Sequence, residues 1–195
     1  GVPQTAKYHP EIDSGIHTLM ALAEAAKITD DLPTRFAVLC HDFGKALTPK
    51  EEWPSHKRHE IRGVPVTESF CQRLRVPKEF RDIAVKVTEF HLLMHQVFIL
   101  RPKTILKLFL ALDAIRRPIN LERFINACMA DARGRLHFEN RSYPQKEYLN
   151  HLLKGITEID IPPLIATVER SKIPETIHRA RLKKLADMIK DYSGA

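Results

Sequence analysis

The fold of this chain is decided around residues 39–45, which read Leu39-Cys40-His41-Asp42-Phe43-Gly44-Lys45. Apolar residues recur with helical spacing from Phe36 to Phe43, and Pro33 suits the first turn of a helix. Glycine often follows the last turn of a helix, so we expect Gly44 to end this one. The stretch therefore predicts a short helix that ends with a histidine and an aspartate side by side.

Helical spacing continues on both sides of this stretch, and no alternating β-branched run predicts a strand. Asp13 and Ser14 can cap a first helix. For the third helix, Pro65 predicts that the regular part begins there and not earlier. Later prolines open further helices, so we predict an all-α bundle of short helices. The predicted inward stripe of the first helix consists of Ile16, Leu19, Leu22, Ala23 and Ala26.

A change of character near residue 145 predicts two parts. The first is a helical domain over residues 1–145, and the second is a C-terminal helical tail over residues 146–195. Helices are expected near residues 144–155 and 174–191, with Pro162-Pro163 as the break between them. The chain begins without a methionine, which predicts that it is a fragment of a longer protein.

The composition indicates a basic globular protein. Of the 195 residues, 44% are hydrophobic and 28% charged, which suffices for a core without disulfides. The formal net charge of +7 favours nucleic acid or phosphorylated substrates, although a solvated basic surface explains it as well. Cys40, Cys71 and Cys128 predict reduced, buried thiols in a cytoplasmic protein. No apolar run approaches the roughly 20 residues of a membrane span, and no signal peptide opens the chain.

Four side chains of the predicted bundle are of types that bind divalent metal ions: His17, His41, Asp42 and Asp131. Imidazole and carboxylate ligands from different helices can converge on one cation. Such a site leaves coordination positions open for water and a phosphate oxygen, and it can lower the pKa of the water. A lone histidine such as His17 is more often a satisfied core residue, so the prediction depends on the whole set.

The order His17, then His41-Asp42-Phe43-Gly44-Lys45, then Asp131 resembles the HD phosphohydrolase superfamily. Within it, the chain is most similar to the HD domain of gammaproteobacterial CCA-adding enzymes, over about residues 1–145. The stretches that carry this resemblance are His9-Pro10-Glu11-Ile12-Asp13, Gly15-Ile16-His17-Thr18-Leu19-Met20, Leu39-Cys40-His41-Asp42, Leu47-Thr48-Pro49, Cys71-Gln72-Arg73-Leu74-Arg75-Val76-Pro77, Glu89-Phe90-His91 and Asp131-Ala132-Arg133-Gly134-Arg135.

The resemblance implies a metal-dependent hydrolase with 2′,3′-cyclic phosphodiesterase, 2′-nucleotidase and phosphatase activities. It implies a divalent cofactor, with nickel favoured for the phosphatase and magnesium, manganese or cobalt as alternatives. His59 and His91 resemble histidines of members that bind a second metal, and otherwise they contact substrate. In that family the domain follows an N-terminal nucleotidyltransferase head, which adds CCA to tRNA. The catalytic carboxylates of the head are missing here, so this chain alone is not expected to add CCA.

Basic residues near the candidate ligands can bind phosphate. Lys45 follows the His-Asp pair by about one turn, and Arg133 and Arg135 follow Asp131. For the two arginines, a helix C-terminus that favours cations is the alternative explanation. In the tail, an amphipathic surface helix with Leu185 packed inward competes with contact to the tRNA backbone. The predicted tRNA contacts are Arg179, Arg181, Lys183 and Lys184.

Three functions stay open from the sequence. The first is hydrolysis of a 2′,3′-cyclic phosphate or a 2′-phosphomonoester during maturation and repair of the tRNA 3′ end. The second is a tRNA-binding body that positions the acceptor arm with little hydrolysis. The third is hydrolysis of free nucleotides or signalling dinucleotides. The expected partners are tRNA and the N-terminal head, with no membrane, and the expected state is a monomer or homodimer.

Overall fold

The computed structural model describes residues 1–7 and 10–192, and it confirms the all-α prediction. Within these residues the only β pairing is an isolated antiparallel bridge between Pro3 and Asp13. His9 of the first motif lies outside the described residues. None of the described helices is long and apolar enough to cross a bilayer. The α-helices are α1 (Ser14–Ile28), α2 (Leu32–Cys40), α3 (His59–Arg73), α4 (Lys78–Phe90), α5 (Pro102–Ala111), α6 (Pro118–Arg133), α7 (Gln145–Thr157), α8 (Ile161–Ile165) and α9 (Ile173–Asp191), with 3₁₀ segments at Phe43–Leu47, Lys50–Glu52, His91–Ile99 and Arg170–Lys172.

The chain divides into two compact units. The first comprises Gly1–His95 and Ile119–Tyr143, and the second comprises Gln96–Pro118 and Pro144–Ala195. Residues 96–118 therefore group with the C-terminal helices, which the predicted division at residue 145 did not anticipate. The physical reason is that α5 buries its apolar side chains in a core that it shares with α9. The C-terminal helices are thus part of a second core and not a separate tail.

In the first unit, α2 is the central helix, because it packs against both α1 and α4, while α3 packs against α4. Asp31 caps α2 by accepting a hydrogen bond from the Thr34 backbone N–H at 2.9 Å. The same carboxylate accepts from the guanidinium of Arg123 in α6 at 2.9 Å. The three cysteines are free and buried, as predicted.

The inward face of α1 differs from the predicted stripe. Its buried residues are His17, Ala21, Glu24 and Ala25, whereas Leu19 is 69% exposed. The helix begins where predicted, with Asp13 accepting hydrogen bonds from the first turn. Because adjacent residues of a helix point about 100° apart, α1 cannot turn both His17 and the apolar stripe inward. The polar contacts of His17 decide which face of α1 is turned inward.

The helix α3 begins at His59, one and a half turns before the predicted start at Pro65. Pro65 lies inside the helix and lacks the N–H that would bond to the Ile61 carbonyl. Close packing accompanies this early start: a Cβ on Gly44 would lie 1.9 Å from the His59 carbonyl oxygen and 2.6 Å from Gly63 N. Gly44 therefore allows close contact with α3, and it does so without a positive φ.

The second unit contains the predicted C-terminal helices α7 and α9, which pack against each other. A Cβ on Gly155 of α7 would lie 2.2 Å from Met188 Sδ of α9, so the flexible Met188 side chain would have to move to admit one. Leu185 of α9 is fully buried. Pro162-Pro163, predicted as a break, instead lies in the first turn of the short helix α8, where a proline needs no N–H partner.

Candidate metal centre

His17 and Asp131 come together from α1 and α6, although 114 residues separate them in the sequence. His17 Nε2 lies 3.0 Å from Asp131 Oδ1, and both side chains are buried. A Cβ on Gly134 would lie 2.4 Å from Ala21 Cα, so the glycine lets the end of α6 approach α1 closely. The Asp131 carboxylate is thereby held against the His17 ring.

His41 and Asp42 lie where α2 ends. The helix ends at Cys40, His41 still has helical backbone angles, and Asp42 departs from them with a φ of −106° and a ψ of 10°. This turn brings both side chains into the same space, with His41 Nε2 3.2 Å from Asp42 Oδ2. The structure thus provides the backbone turn that joint ligation by adjacent residues requires.

The four predicted ligands converge on one buried region of the first unit. His17 Nε2 lies 3.9 Å from Asp42 Oδ2, and His41 Nε2 lies 3.8 Å from Asp131 Oδ1. Ligand atoms of His17, His41 and Asp42 all lie within 4.8 Å of one another, as ligands of one metal ion must. Asp131 Oδ1 lies against both histidines of this trio, so two imidazoles and two carboxylates share one buried cluster.

A second group of potential ligands shares the Asp42 carboxylate. Asp42 Oδ1 lies 3.1 Å from His59 Nε2 and 3.7 Å from His91 Nε2, and the two histidine nitrogens are 3.3 Å apart. All three side chains are buried and could hold a metal ion. The structure brings His59 and His91 together despite the proline in α3, with Asp42 placed between the two groups.

Each of these histidines has its other ring nitrogen against an acceptor. His41 Nδ1 lies 2.7 Å from the Val38 carbonyl, and His59 Nδ1 lies 3.0 Å from the His56 carbonyl. His91 Nδ1 lies 3.1 Å from two backbone carbonyls of α4. A carbonyl can only accept, so Nδ1 carries the proton in these three rings and Nε2 is the ligand nitrogen when the ring is neutral. His17 Nδ1 lies 3.0 Å from Glu11 Oε1.

The donor set fits a divalent metal ion. His41 Nε2 and Asp42 Oδ1 are buried, yet neither makes a hydrogen bond to any described atom. Buried polar atoms without partners cost free energy, and a metal ion would satisfy both of them. A mixed set of imidazoles and carboxylates is typical of divalent transition-metal sites.

The electrostatics prepare most of these groups for ligation. Burial raises the pKa of Asp42, but the charges of His41 and Lys45 outweigh it and hold this pKa well below its usual value. Burial likewise opposes ionisation of Asp131, and the charge of Arg135 with the hydrogen bond from His17 holds its pKa well below the usual value. Burial, helped by the charge of His41, lowers the pKa of His91 to about 3. The carboxylates are thus ionised and His91 is neutral at pH 7.

Lys45 lies beside the candidate centre. Its ammonium donates to Asp42 Oδ2 at 2.5 Å and to the side-chain oxygen of Gln4. The side chain is buried. These contacts use two of its three N–H donors, which leaves one for a phosphate oxygen.

Arg133 does not face the centre. Its guanidinium donates to the Arg141 carbonyl at 3.0 Å and so holds the loop that follows α6. Arg135 lies there instead and donates to Asp131 Oδ1 and to His95 Nε2, each at 3.3 Å. Arg135 lies two residues beyond the end of α6 at Arg133, and there its guanidinium, and not that of Arg133, reaches the aspartate.

Three contributors to this region were not among the predicted site residues: Gln4, Glu11 and His95. Glu11 belongs to the motif quoted above, but nothing in its spacing indicated contact with His17. Gln4 reaches Lys45 only because the N-terminal segment folds back, and His95 Nε2 lies 3.7 Å from Asp131 Oδ2. The predicted tRNA-contacting residues lie on α9 in the second unit, outside this cluster.

Comparison with known proteins decides the family. The HD domain matches residues 15–124, more than half of the chain. This chain belongs to the HD domain family. The chain is 47% identical over 193 residues to the protein named Multifunctional CCA protein of Alkalilimnicola ehrlichii. That alignment covers 98% of the chain and 47% of the relative, so the chain spans about half the length of the curated relative it matches. No solved structure matches it.

Proposed function

We propose that this HD domain is the metal-dependent phosphohydrolase part of a CCA-adding tRNA nucleotidyltransferase. Its proposed substrates are 2′,3′-cyclic phosphates and 2′-phosphomonoesters at the 3′ end of tRNA. The observation that carries the proposal is the buried cluster that His17, His41, Asp42 and Asp131 form. The relative named Multifunctional CCA protein supports the setting in tRNA maturation and repair.

His17, His41, Asp42 and Asp131 would hold the metal ion. When bound, the divalent cation supplies a Lewis acid that lowers the pKa of a water molecule and neutralises phosphoryl charge. The mixed nitrogen and oxygen donors favour nickel, cobalt or manganese over magnesium. His59 and His91 would either hold a second, weaker ion or contact the substrate.

Positive charge near the ligands would orient the phosphate. Lys45 uses two of its three N–H donors on Gln4 and Asp42, and Arg135 donates to Asp131 Oδ1 and to His95 Nε2. Charge-assisted hydrogen bonds from such groups stabilise the charge that develops on phosphate oxygens during attack. Because Lys45 lies against Asp42, it also holds that carboxylate in its ionised form.

The test is hydrolysis of 2′,3′-cyclic AMP by the 195-residue chain with Ni²⁺, Co²⁺, Mn²⁺ or Mg²⁺, together with metal analysis. We expect Asp42→Asn to lose bound metal and at least about 100-fold in activity, since outer-shell changes alone cost 10–100-fold. Lys45→Met should keep its metal and lose about 100-fold in kcat, because it removes a charge-stabilising donor.

Asp113→Asn is the matched control, since this carboxylate pairs with Arg116 at the surface of the second unit. Its activity and metal content should equal those of the wild type. Absence of cyclic-phosphate and 2′-phosphate hydrolysis with every one of these ions would refute the proposal. Activity on free nucleotides but not on RNA ends would instead favour a nucleotide hydrolase.

A second candidate function is RNA binding by the second unit. On α9, Lys183 and Lys184 are exposed and make no ion pair with any described residue, whereas Arg179 pairs with Glu175 of the same helix. Unpaired surface cations gain free energy by releasing counterions from a nucleic-acid backbone. This function is compatible with hydrolysis by the first unit and is tested separately below.

A further inference from the structure

The N-terminal segment, defined as the described residues 2–7 and 10–13, precedes the part of the chain that matches the HD domain. It folds back on itself, with Gln4 N donating to the Ile12 carbonyl at 2.5 Å and Ser14 N donating to the Val2 carbonyl at 3.0 Å. His56 Nε2 donates to the Pro3 carbonyl at 2.6 Å. These hydrogen bonds hold the N-terminal segment in place within the first unit, next to the candidate metal centre.

This segment supplies the partner of one candidate ligand. Glu11 Oε1 lies 3.0 Å from His17 Nδ1, and the two side chains are 2% and 0% exposed. The other histidines of the centre use backbone carbonyls close to them in sequence for the same purpose. His17 instead faces a carboxylate six residues away, on the other side of the Asp13 cap.

We propose that Glu11 is a positioning residue of the metal centre. It accepts the Nδ1–H of His17, which leaves the Nε2 lone pair directed at the metal ion and increases the basicity of the ring. A carboxylate is a stronger acceptor than a carbonyl, so it polarises the ring more. The inference rests on the metal centre proposed above, and it extends the functional centre beyond the region matched by the HD domain.

The structural alternative is that Glu11 only stabilises the fold by pairing with a buried imidazolium. The two roles differ in their consequences. If Glu11 had only a structural role, its replacement would change the free energy of unfolding but leave the metal affinity of the folded protein unchanged. A positioning role makes that affinity depend on the acceptor atom at position 11.

The test compares Ni²⁺ affinity by calorimetry in two near-isosteric variants, at a pH where both are folded by circular dichroism. Glu11→Met removes the acceptor and should weaken binding 10–100-fold. Glu11→Gln keeps an amide oxygen as acceptor and should recover most of that loss. Glu24→Gln is the control, because Glu24 is also a carboxylate buried on the first unit but pairs with Lys27. It should bind as the wild type does.

The inference would be overturned if Glu11→Met bound Ni²⁺ with the affinity of the wild type. It would also be overturned if Glu11→Gln and Glu11→Met lost Ni²⁺ affinity equally. If Glu11→Met does not fold, the wild type decides through ¹H–¹⁵N correlation spectra of the Zn²⁺-loaded protein. We expect His17 to be protonated at Nδ1 and ligated through Nε2, and ligation through Nδ1 would overturn the inference. Failure of the wild type to bind any metal would instead refute the proposed function itself.

Discussion

His17 lies between two carboxylates, Glu11 on one ring nitrogen and Asp131 on the other. Burial lowers its pKa, but the hydrogen bonds to Asp131 and Glu11 outweigh burial and raise the pKa of His17 to about 9 in the metal-free protein. At pH 7 the ring is therefore an imidazolium, and its Nε2 proton occupies the direction in which a metal ion would bind.

This proton predicts a pH dependence of metal binding. Below pH 9 the ion must displace the proton from His17, so affinity should rise about tenfold per pH unit between pH 7 and pH 9 and then level off. His91 does not add to this slope, because its pKa of about 3 leaves it already neutral. Calorimetry in two buffers of different ionisation enthalpy measures the released proton.

The matched variant for this measurement is His17→Gln, which should bind weakly and without the slope. An affinity that is constant between pH 7 and pH 9 in the wild type would show that metal binding releases no proton from His17, contrary to this prediction. The raised pKa of His17 is the reason that metal affinity should increase with pH. A ligand with a lowered pKa would release no proton in this range.

At the scale of elements, the centre depends on glycines that let helices approach. Gly44, which follows the His-Asp pair, contacts the backbone of α3 at His59 and Gly63. This contact sets the distance between Asp42 and His59, and therefore the separation of the two ligand groups. Gly44 was predicted to end the second helix, but α2 ends at Cys40 and Gly44 lies inside the 3₁₀ segment Phe43–Leu47, where it acts through packing.

We expect Gly44→Ala to destabilise the protein by about 3 kcal/mol or more, because a methyl group 1.9 Å from a backbone oxygen forces the two segments apart. The same displacement should weaken metal binding. Urea denaturation gives the free energy of unfolding. The comparison is Gly15→Ala in the first turn of α1, where the nearest atom is Asp13 Oδ1 at 3.1 Å, and where a change within about 1 kcal/mol is expected. Equal stability of Gly44→Ala and the wild type would show that the contact is dispensable.

At the scale of the whole molecule, the formal net charge is +7, and each unit contributes cations to it. The first unit places Lys45 and Arg135 beside the candidate ligands Asp42 and Asp131. The second unit exposes lysines on α9 that have no ion pair among the described residues. Metal-dependent chemistry and RNA affinity should therefore respond to different substitutions.

We expect that replacing Arg179, Arg181, Lys183 and Lys184 by glutamine lowers tRNA affinity and makes its salt dependence shallower. Each lost phosphate contact removes about one unit from the slope of log affinity against log salt. Hydrolysis of 2′,3′-cyclic AMP should not change, because this small substrate needs only the metal centre. Fluorescence anisotropy over a range of salt concentrations measures the slope.

The control pair is Arg116→Gln with Arg117→Gln, two exposed arginines of the same unit that face Asp113. They should leave the slope unchanged, since pairing within the protein already neutralises part of their charge. An unchanged slope in the α9 variant would assign its cations to an ordinary solvated surface, the alternative that the sequence left open.

The sequence by itself determined the helical class, most helix starts and the identity of the four candidate ligands. Helix starts can be read locally, because a cap such as Asp13 or a first-turn proline acts within a few residues. The candidate ligands could be identified because few residue types bind metals and because their order resembles a known superfamily. Neither the helix caps nor the order of the candidate ligands requires knowledge of contacts between distant segments.

Only the tertiary structure decided which face of α1 is buried, that Arg135 and not Arg133 reaches Asp131, and that α5 shares a core with α9. It also placed Glu11 against His17 and Gln4 against Lys45. Each of these outcomes depends on contacts between segments far apart in sequence or on the rotation of a helix. Periodicity gives the spacing of a face, but the partner that covers it decides which face turns inward.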